Sequence, residues 1–229
     1  IDSAEKNVIT IEDPIEYNVD GVSQIQVSNK KGLTFAAGMR SLLRQDPDIM
    51  MVGEIRDAET AGIAVQAANT GHLVFSTLHT NDSAGAVTRM VDLGVEPYLV
   101  SSSLIAVIAQ RLVRVICNHC KEGYDPLDSE LRELGVTRDE LPHGQLFRGR
   151  GCDACLGRGL YDRTAIYEIL SVNETIRDQI ISRTSASLIK QTAVETGHLR
   201  TLRMDGAGKV LTGETTMEEV FRVTQMDVF

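Results

Sequence analysis

Residues 46–69 read DPDIMMVGEIRDAETAGIAVQAAN, and the change of pattern inside this stretch decides the fold class. Asp46-Pro47-Asp48 punctuates the chain, Ile49–Val52 is an apolar run too short for a helix, and Gly53 ends it. From Ala58 to Asn69 the composition turns helical, with Gly71 just beyond as a stop. An unbroken apolar run describes a strand buried on both faces, which is how parallel sheets are built. The alternation extends both ways. VITI at Val8–Ile11 and HLVFSTLHT at His72–Thr80 read as further strands, and helices are expected over 35–44, 83–93 and 98–112. Strand, helix, strand, helix predicts an α/β fold, a mostly parallel sheet with flanking helices.

In such sheets ligands gather at the carboxyl ends of the strands, so polar residues there carry the first functional information. Glu12, Asp13 and Glu16 follow the first strand, and Glu54 and Asp57 follow IMMV. If the two strands are neighbours, Glu12 and Glu54 could share one site, holding Mg²⁺ or taking a proton from water. Solvated loop carboxylates are the plainer reading of either group alone. His79 stands at the carboxyl end of the third strand and His72 at its start, so an unbroken strand would keep them apart and on opposite faces. A hydrogen-bonded structural histidine is favoured for His72 and disfavoured for His79. Arg40 and Arg44 are one helical turn apart and Arg56 follows Glu54-Ile55. Their guanidinium groups suit phosphate oxygens, or equally ion pairs with Asp46, Asp48 or Asp57.

All four cysteines fall in two pairs, Cys117-x-x-Cys120 and Cys152-x-x-Cys155. Each spacing suits two thiolates on one ion, and four close a tetrahedral zinc shell. The long gap between the pairs implies an insertion, expected to carry a charged helix near Asp128 to Leu134. Three disulfide connectivities and a redox CxxC are the alternatives, and an intracellular chain favours zinc over them. His119 and His143 could replace a cysteine, but four thiolates already complete the shell. Farther on, Ser171 with Glu174, Thr215 with Glu218 and Thr216 with Glu219 fit capping boxes, predicting helices near 174–182 and 216–225. The expected organisation is a core over 1–112, a zinc module over 113–160 and a helical C-terminal subdomain over 161–229.

The 229 residues set 23 Lys and Arg against 32 Asp and Glu, a net charge of −9, and 4% are aromatic with no Trp. That balance disfavours gripping nucleic-acid phosphates or stacking bases. No apolar run approaches the ~20 residues a bilayer span needs and no leader-like stretch precedes Ile1, so the chain reads as soluble and intracellular.

With VITIEDPIEY, LLRQDPDIMMVGEIRD and TGHLVFSTLHTNDSAGAVTRM in order, the chain resembles the type II secretion and type IV pilus assembly ATPases, RecA-like hexameric motors. The first segment looks like that family's Asp box, the second like its Walker B element and the third like its His box. The resemblance implies that Glu54 acts with Mg²⁺ and the attacking water of ATP hydrolysis. It makes Glu12 and Glu16 the Asp-box acids and His72 and His79 the His-box pair, with Arg40, Arg44 and Arg56 at basic positions of the Walker B segment. The tetracysteine favours the secretion and pilus-extension ATPases over the retraction ATPase. Implied partners are further copies of the chain in a hexamer and the platform proteins of an inner membrane, with a cytoplasmic location beside it. The family's phosphate-cradling loop, G-x-x-x-x-G-K-[ST], is missing from these 229 residues, and Gly206-Ala207-Gly208-Lys209 followed by Val210 does not supply it. The expectation is therefore the C-terminal portion of a longer motor, inactive alone. A non-catalytic zinc-bearing module that docks or organises a ring is the alternative.

Overall fold

A computed structural model describes residues 3–227, the side chains of Asn29 and His143 excepted, so His143 as a stand-in ligand lies outside what is described. The chain divides into two compact units, one running through Ile105 and including Val172–Ile189, the other Ala106–Ser171 and the chain from Lys190.

The first unit opens with β1 (Val8–Glu12), β2 (Ser23–Gln26), α1 (Phe35–Leu42) and β3 (Ile49–Val52). It continues with α2 (Ala58–Asn69), β4 (Leu73–Ser76), α3 (Ser83–Asp92) and α4 (Pro97–Ser103). The sheet order is β2-β1-β3-β4 and every pairing is parallel. Ile11 lies opposite Val52 and Val52 opposite Ser76, so the carboxyl ends of β1, β3 and β4 finish side by side. Ile9, Ile11, Met50 and Val52 are buried, as the apolar runs foretold for strands covered on both faces. The helices start where the sequence places short polar caps. Thr34 Oγ1, Asp57 Oδ1 and Asp82 Oδ1 accept from Ala37, Thr60 and Gly85 N–H at 3.2, 2.8 and 2.8 Å. At Gly38 a Cβ would fall 1.9 Å from Ile11 Cδ1, so glycine lets α1 lie this close to β1 without displacing the Ile11 side chain.

The helix expected over 98–112 ends at Ser103, and Ala106–Ile116 form a long strand, β5. After it come β6 (Lys121–Tyr124), α5 (Asp128–Leu134), β7 (Leu146–Gly149) and β8 (Leu160–Ser171). β5 pairs antiparallel with β8, and β6 with β7. Along AVIAQRLVRVI exposure alternates as far as Arg114, but apolar Ile108 and Leu112 fall on the exposed side, so the sequence itself carries no clean period of two. The boundary expected after residue 112 falls inside β5. The segment from 161 is likewise not all helical, since β8 runs through Ser171. Ser171 therefore does not cap the next helix, α6 (Glu174–Ile181); Asn173 Oδ1 does, accepting from Ile176 N–H at 3.0 Å. In the first unit Arg177 Nη1 of α6 donates to Ser101 O of α4 at 2.6 Å.

The chain closes with α7 (Ala186–Glu195), α8 (Leu202–Leu211) and α9 (Met217–Val223). Leu131, Leu134, Leu146, Ala207, Val210, Met217 and Val220 from α5, β7, α8 and α9 form the second unit's main apolar cluster. Gly206 sits inside α8, where a Cβ would meet Val220 Cγ1 at 2.6 Å, so this glycine serves helix packing. Lys209 Nζ is 3.0 Å from Thr164 Oγ1 and 3.3 Å from Glu214 Oε1, engaged within the fold. Among the described residues no helix is long and apolar enough to cross a membrane.

Candidate functional site

Where β3 ends, Gly53 N–H donates to Ile11 O at 2.8 Å and the chain leaves the sheet with Glu54. Three hydrogen bonds strap this loop to the one after β4. Ser76 Oγ donates to Val52 O at 2.8 Å, Thr77 Oγ1 to Gly53 O at 2.7 Å, and Ile55 N–H to Thr77 O at 3.0 Å. The strand expected over 72–80 is thus cut short at Ser76, because the next residues turn their bonds onto the β3 loop. That turn brings His79 Nε2 to 2.8 Å from Glu54 Oε2, while Arg56 Nη2 lies 2.5 Å from Oε1. The Glu54 side chain is 12% exposed, against 79% for His79 and 66% for Arg56. A sheltered carboxylate is therefore flanked by two exposed groups that can carry positive charge. The Arg56 hydrogen bond first, and that of His79 next, hold the Glu54 carboxyl below its ordinary range.

Glu12 occupies the neighbouring strand end but takes other partners. Its Oε1 accepts from Gln24 Nε2 of β2 at 2.9 Å and from Thr10 Oγ1. Glu16 is exposed. Arg40 pairs with Glu59 of α2 rather than with the aspartates considered for it, and Arg44 is exposed with no ion pair among the described residues. Asp57 caps α2, and Asp48 bonds Asn7 and Lys6. His72 lies at the other end of β4, its Nδ1 2.9 Å from Ala67 O and 3.2 Å from Thr70 Oγ1, closing the last turn of α2. A Mg²⁺ ion arriving with nucleotide phosphates needs only one or two protein carboxylates. Glu54 and Glu12 stand at adjacent strand ends, and each is a carboxylate of the kind such an ion accepts.

The second cluster is the tetracysteine. All four Sγ atoms lie within 4.8 Å of one another, with Cys117 to Cys152 and Cys120 to Cys155 at 3.9 Å and Cys152 to Cys155 at 3.8 Å. Thiolates tetrahedrally placed ~2.3 Å from one ion stand about 3.8 Å apart, so the set fits an ion of zinc's size. Disulfides are absent at these separations. Backbone N–H groups aim at the sulfurs: Gly151 at Cys120 (3.3 Å), Cys152 at Cys155 (3.2 Å) and Gly159 at Cys155 (3.1 Å). Burial pushes the Cys120 thiol up to about 11. At Cys155 burial acts the same way, but the Cys152 and Gly159 N–H groups and the adjoining thiols outweigh it and bring it down to about 6. One thiolate forms readily and its charge discourages the rest; a divalent cation lets all four ionise. His119 is exposed and outside the cluster.

Sequence reasoning passed over the supporting residues. Thr10 and Gln24 bond the Glu12 carboxylate, while Ser76 and Thr77 hold the loop that carries Glu54 through the Val52 and Gly53 carbonyls, and Thr and Ser at strand ends are too common to stand out. Gly149 and Gly159 also escaped notice: a Cβ on Gly149 would lie 1.9 Å from Gly159 O, so this pair admits the close backbone approach beside Cys155.

Known proteins are similar to this chain in sequence and fold. The chain is 51% identical over 224 residues to the Type IV pilus assembly ATPase PilB of Thermus thermophilus, covering 98% of this chain and 25% of that protein. It is 49% identical over 227 residues to the Type II secretion system protein E of Aeromonas hydrophila, covering 99% and 44%. The chain thus spans a quarter to under half the length of these relatives. Among solved structures, the pilus retraction motor PilT with bound ADP is similar at a TM-score of 0.68 and 28% identity, over 96% of this chain and 53% of that one. The family model for Type II/IV secretion system proteins matches residues 1–222, and the chain belongs to that family.

Proposed function

We propose that this chain is the part of a motor ATPase that carries the carboxylate acting on the attacking water, in a machine that assembles a pseudopilus or pilus. The observation that carries the reading is Glu54, sheltered at a strand end and gripped by Arg56 and His79, in a chain whose relatives are named as secretion and pilus assembly ATPases. Held ionised, Glu54 accepts a hydrogen bond from water and orients it, and it takes the proton as the water's acidity rises on attack, since the partners that keep it ionised also lower its basicity. Glu12 and Glu54 would hold Mg²⁺, directly or through water, and the ion would neutralise charge developing on the phosphates. Glu16 and the arginines at 40, 44 and 56 complete the polar rim. His79 sets the orientation of the carboxylate, and His72 belongs to the same segment with a structural task. Zinc in the four-cysteine site holds the second unit's loops and takes no part in hydrolysis. The working form is a hexamer, cytoplasmic and tethered to inner-membrane platform proteins.

The test is phosphate release by the longer protein carrying Glu54→Gln. Turnover should fall by roughly a hundredfold or more while nucleotide binding persists. Wild-type turnover in that variant would leave Glu54 without the role given to it. One observation favours the docking-module reading instead: the glycine-lysine string at 206–209 is helical, so no phosphate cradle is formed by these residues. Loss of turnover in Glu54→Gln would exclude that reading.

A further inference from the structure

Arg114 and Arg163 face each other directly across the β5–β8 ladder. Like charges in that relation repel, and their pairing breaks a rule that sheets otherwise keep. A third guanidinium, that of Arg222 on α9, joins them, and with Leu112 the three line a groove of about 370 Å³. The arrangement is anchored from beneath by one carboxylate. Glu219, 3% exposed, accepts from Arg114 Nη2 at 2.7 Å and from Arg114 N–H at 2.9 Å. It also accepts from Arg222 Nε at 3.1 Å and Nη2 at 2.8 Å. Arg114 and Arg222 keep side-chain exposures of 47% and 52%, so their free N–H groups open onto the groove. The Arg163 side chain makes no hydrogen bond or ion pair among the described residues, and Asp162 beside it is turned onto the Arg163 backbone N–H at 2.8 Å. The ladder is irregular directly after Arg114, and Asp162 adopts a left-handed φ of 68°, both at the rim where Arg163 is presented.

Three guanidinium charges line the groove against one buried carboxylate beneath them, an excess of two among these four groups that Asp162 at the rim, bonded to the Arg163 backbone, offsets only in part, in a chain whose net charge is −9. A second carboxylate would neutralise half of that excess, whereas a phosphate group, carrying about −1.5 to −2 near neutral pH, matches it. Guanidinium forks also fit its tetrahedral oxygens. We propose that Arg114, Arg163 and Arg222 form a binding site for a phosphate group, free or borne on a larger molecule. Arg114 and Arg222 are pre-positioned by Glu219, and Arg163 closes on the ligand.

The experiment titrates the 229-residue chain with inorganic phosphate at constant ionic strength, following the backbone amide resonances of Arg114, Arg163 and Arg222. Saturable shifts confined to these residues and their neighbours are expected, with acetate much weaker. Arg163→Gln should weaken phosphate by about tenfold or more, the loss of a charge-assisted contact. Arg163→Lys should retain part of the affinity. Among the described residues the Arg163 side chain holds nothing else, and its removal relieves the repulsion with Arg114, so a Tm that is unchanged or slightly raised is expected and separates loss of the site from loss of structure. Glycerol 3-phosphate in a second arm distinguishes sources: binding equal to inorganic phosphate indicates a ligand carried on a larger molecule, and exclusion indicates the free ion. Equal phosphate binding by wild type and Arg163→Gln, or acetate as strong as phosphate, would overturn the proposal.

Discussion

Nε2 of His79 lies 2.8 Å from Oε2 of Glu54, across 25 residues of sequence. The contact exists because β3 and β4 are parallel neighbours that end level, and because Ser76 and Thr77 bond back to the carbonyls of Val52 and Gly53. Position on the sheet thus turns two separate sequence segments into one acid and its partner, with the acid inside and the histidine at the solvent edge.

His79→Ala in the longer protein should therefore lower turnover by roughly tenfold to a hundredfold, since the carboxylate loses one of its two orienting partners. His72→Ala should act on stability instead. Its imidazole closes the end of α2, and losing that bond costs about 1 kcal/mol with turnover nearly unchanged. Paired kinetic and denaturation measurements decide the matter, and equal kinetic loss in both variants would refute the division of labour.

Much of this was legible before the structure, and the omissions have physical causes. Ile49–Val52 and Ala58–Asn69 declared themselves because a doubly buried strand and an amphipathic helix impose strong, opposite patterns. β5 was misread as helix because its partner, β8, lies far along the chain, and pairing at that distance leaves no local trace. The two histidines were distinguished by strand position alone, yet the bend after Ser76 that completes the Glu54 contact depends on hydroxyl bonds to another strand's loop. The cysteine spacing foretold a closed shell, whereas Gly149 and Gly159 matter only once their two loops meet.

Stability should depend on pH through Glu219. Burial alone would raise its pKa, but hydrogen bonds from the Arg114 and Arg222 guanidiniums and the Arg114 N–H outweigh burial and hold it at about 2, against 4.5 for the free group. The folded value is the lower one, so the contribution is fully present above about 4.5 and is lost as pH falls toward 2. Such a shift corresponds to on the order of 3 kcal/mol, reduced to about 1–2 because both guanidiniums are half exposed. Glu219→Gln should lower the unfolding free energy by that amount at pH 7, with the gap narrowing by roughly half at pH 3. Urea titrations at the two pH values measure it; a gap independent of pH would show that Glu219 is not the titrating group.

Removing metal should act locally. One zinc per chain is expected by elemental analysis. The second unit keeps the apolar cluster around Leu146, Val210 and Val220, each such burial contributing ~1.5–3 kcal/mol, so the ion is not needed to hold that cluster together. Chelation should speed amide exchange around Cys117–Cys120 and Gly149–Gly159 and leave β1, β3 and β4 as protected as before. Exchange across the whole chain after chelation would contradict this, and so would a chain that holds no metal and contains two disulfides.

The 229-residue chain on its own provides the severest test of how the work is shared. On the proposed reading Glu54 with Arg56 and His79 addresses a water molecule, but among the described residues the glycine-lysine string forms no cradle for the phosphates of ATP, since Gly206 and Gly208 are spent inside α8 and Lys209 is bound to Thr164 and Glu214. A carboxylate without a positioned phosphoryl group has nothing to act on, because phosphoryl transfer relies on positioning and charge neutralisation together. No measurable phosphate release is expected from this chain alone. A net charge of −9 per copy adds mutual repulsion, so sedimentation should show mostly monomer in dilute solution. Phosphate held by Arg114, Arg163 and Arg222 would register as binding and not as turnover, which keeps the two measurements independent. The same assays on the longer protein should recover hexamers and hydrolysis together. Active hexamers of the 229-residue chain would mean that a phosphate cradle exists within it after all. A longer protein that neither binds nor hydrolyses nucleotide would hand the lead to the docking-module reading.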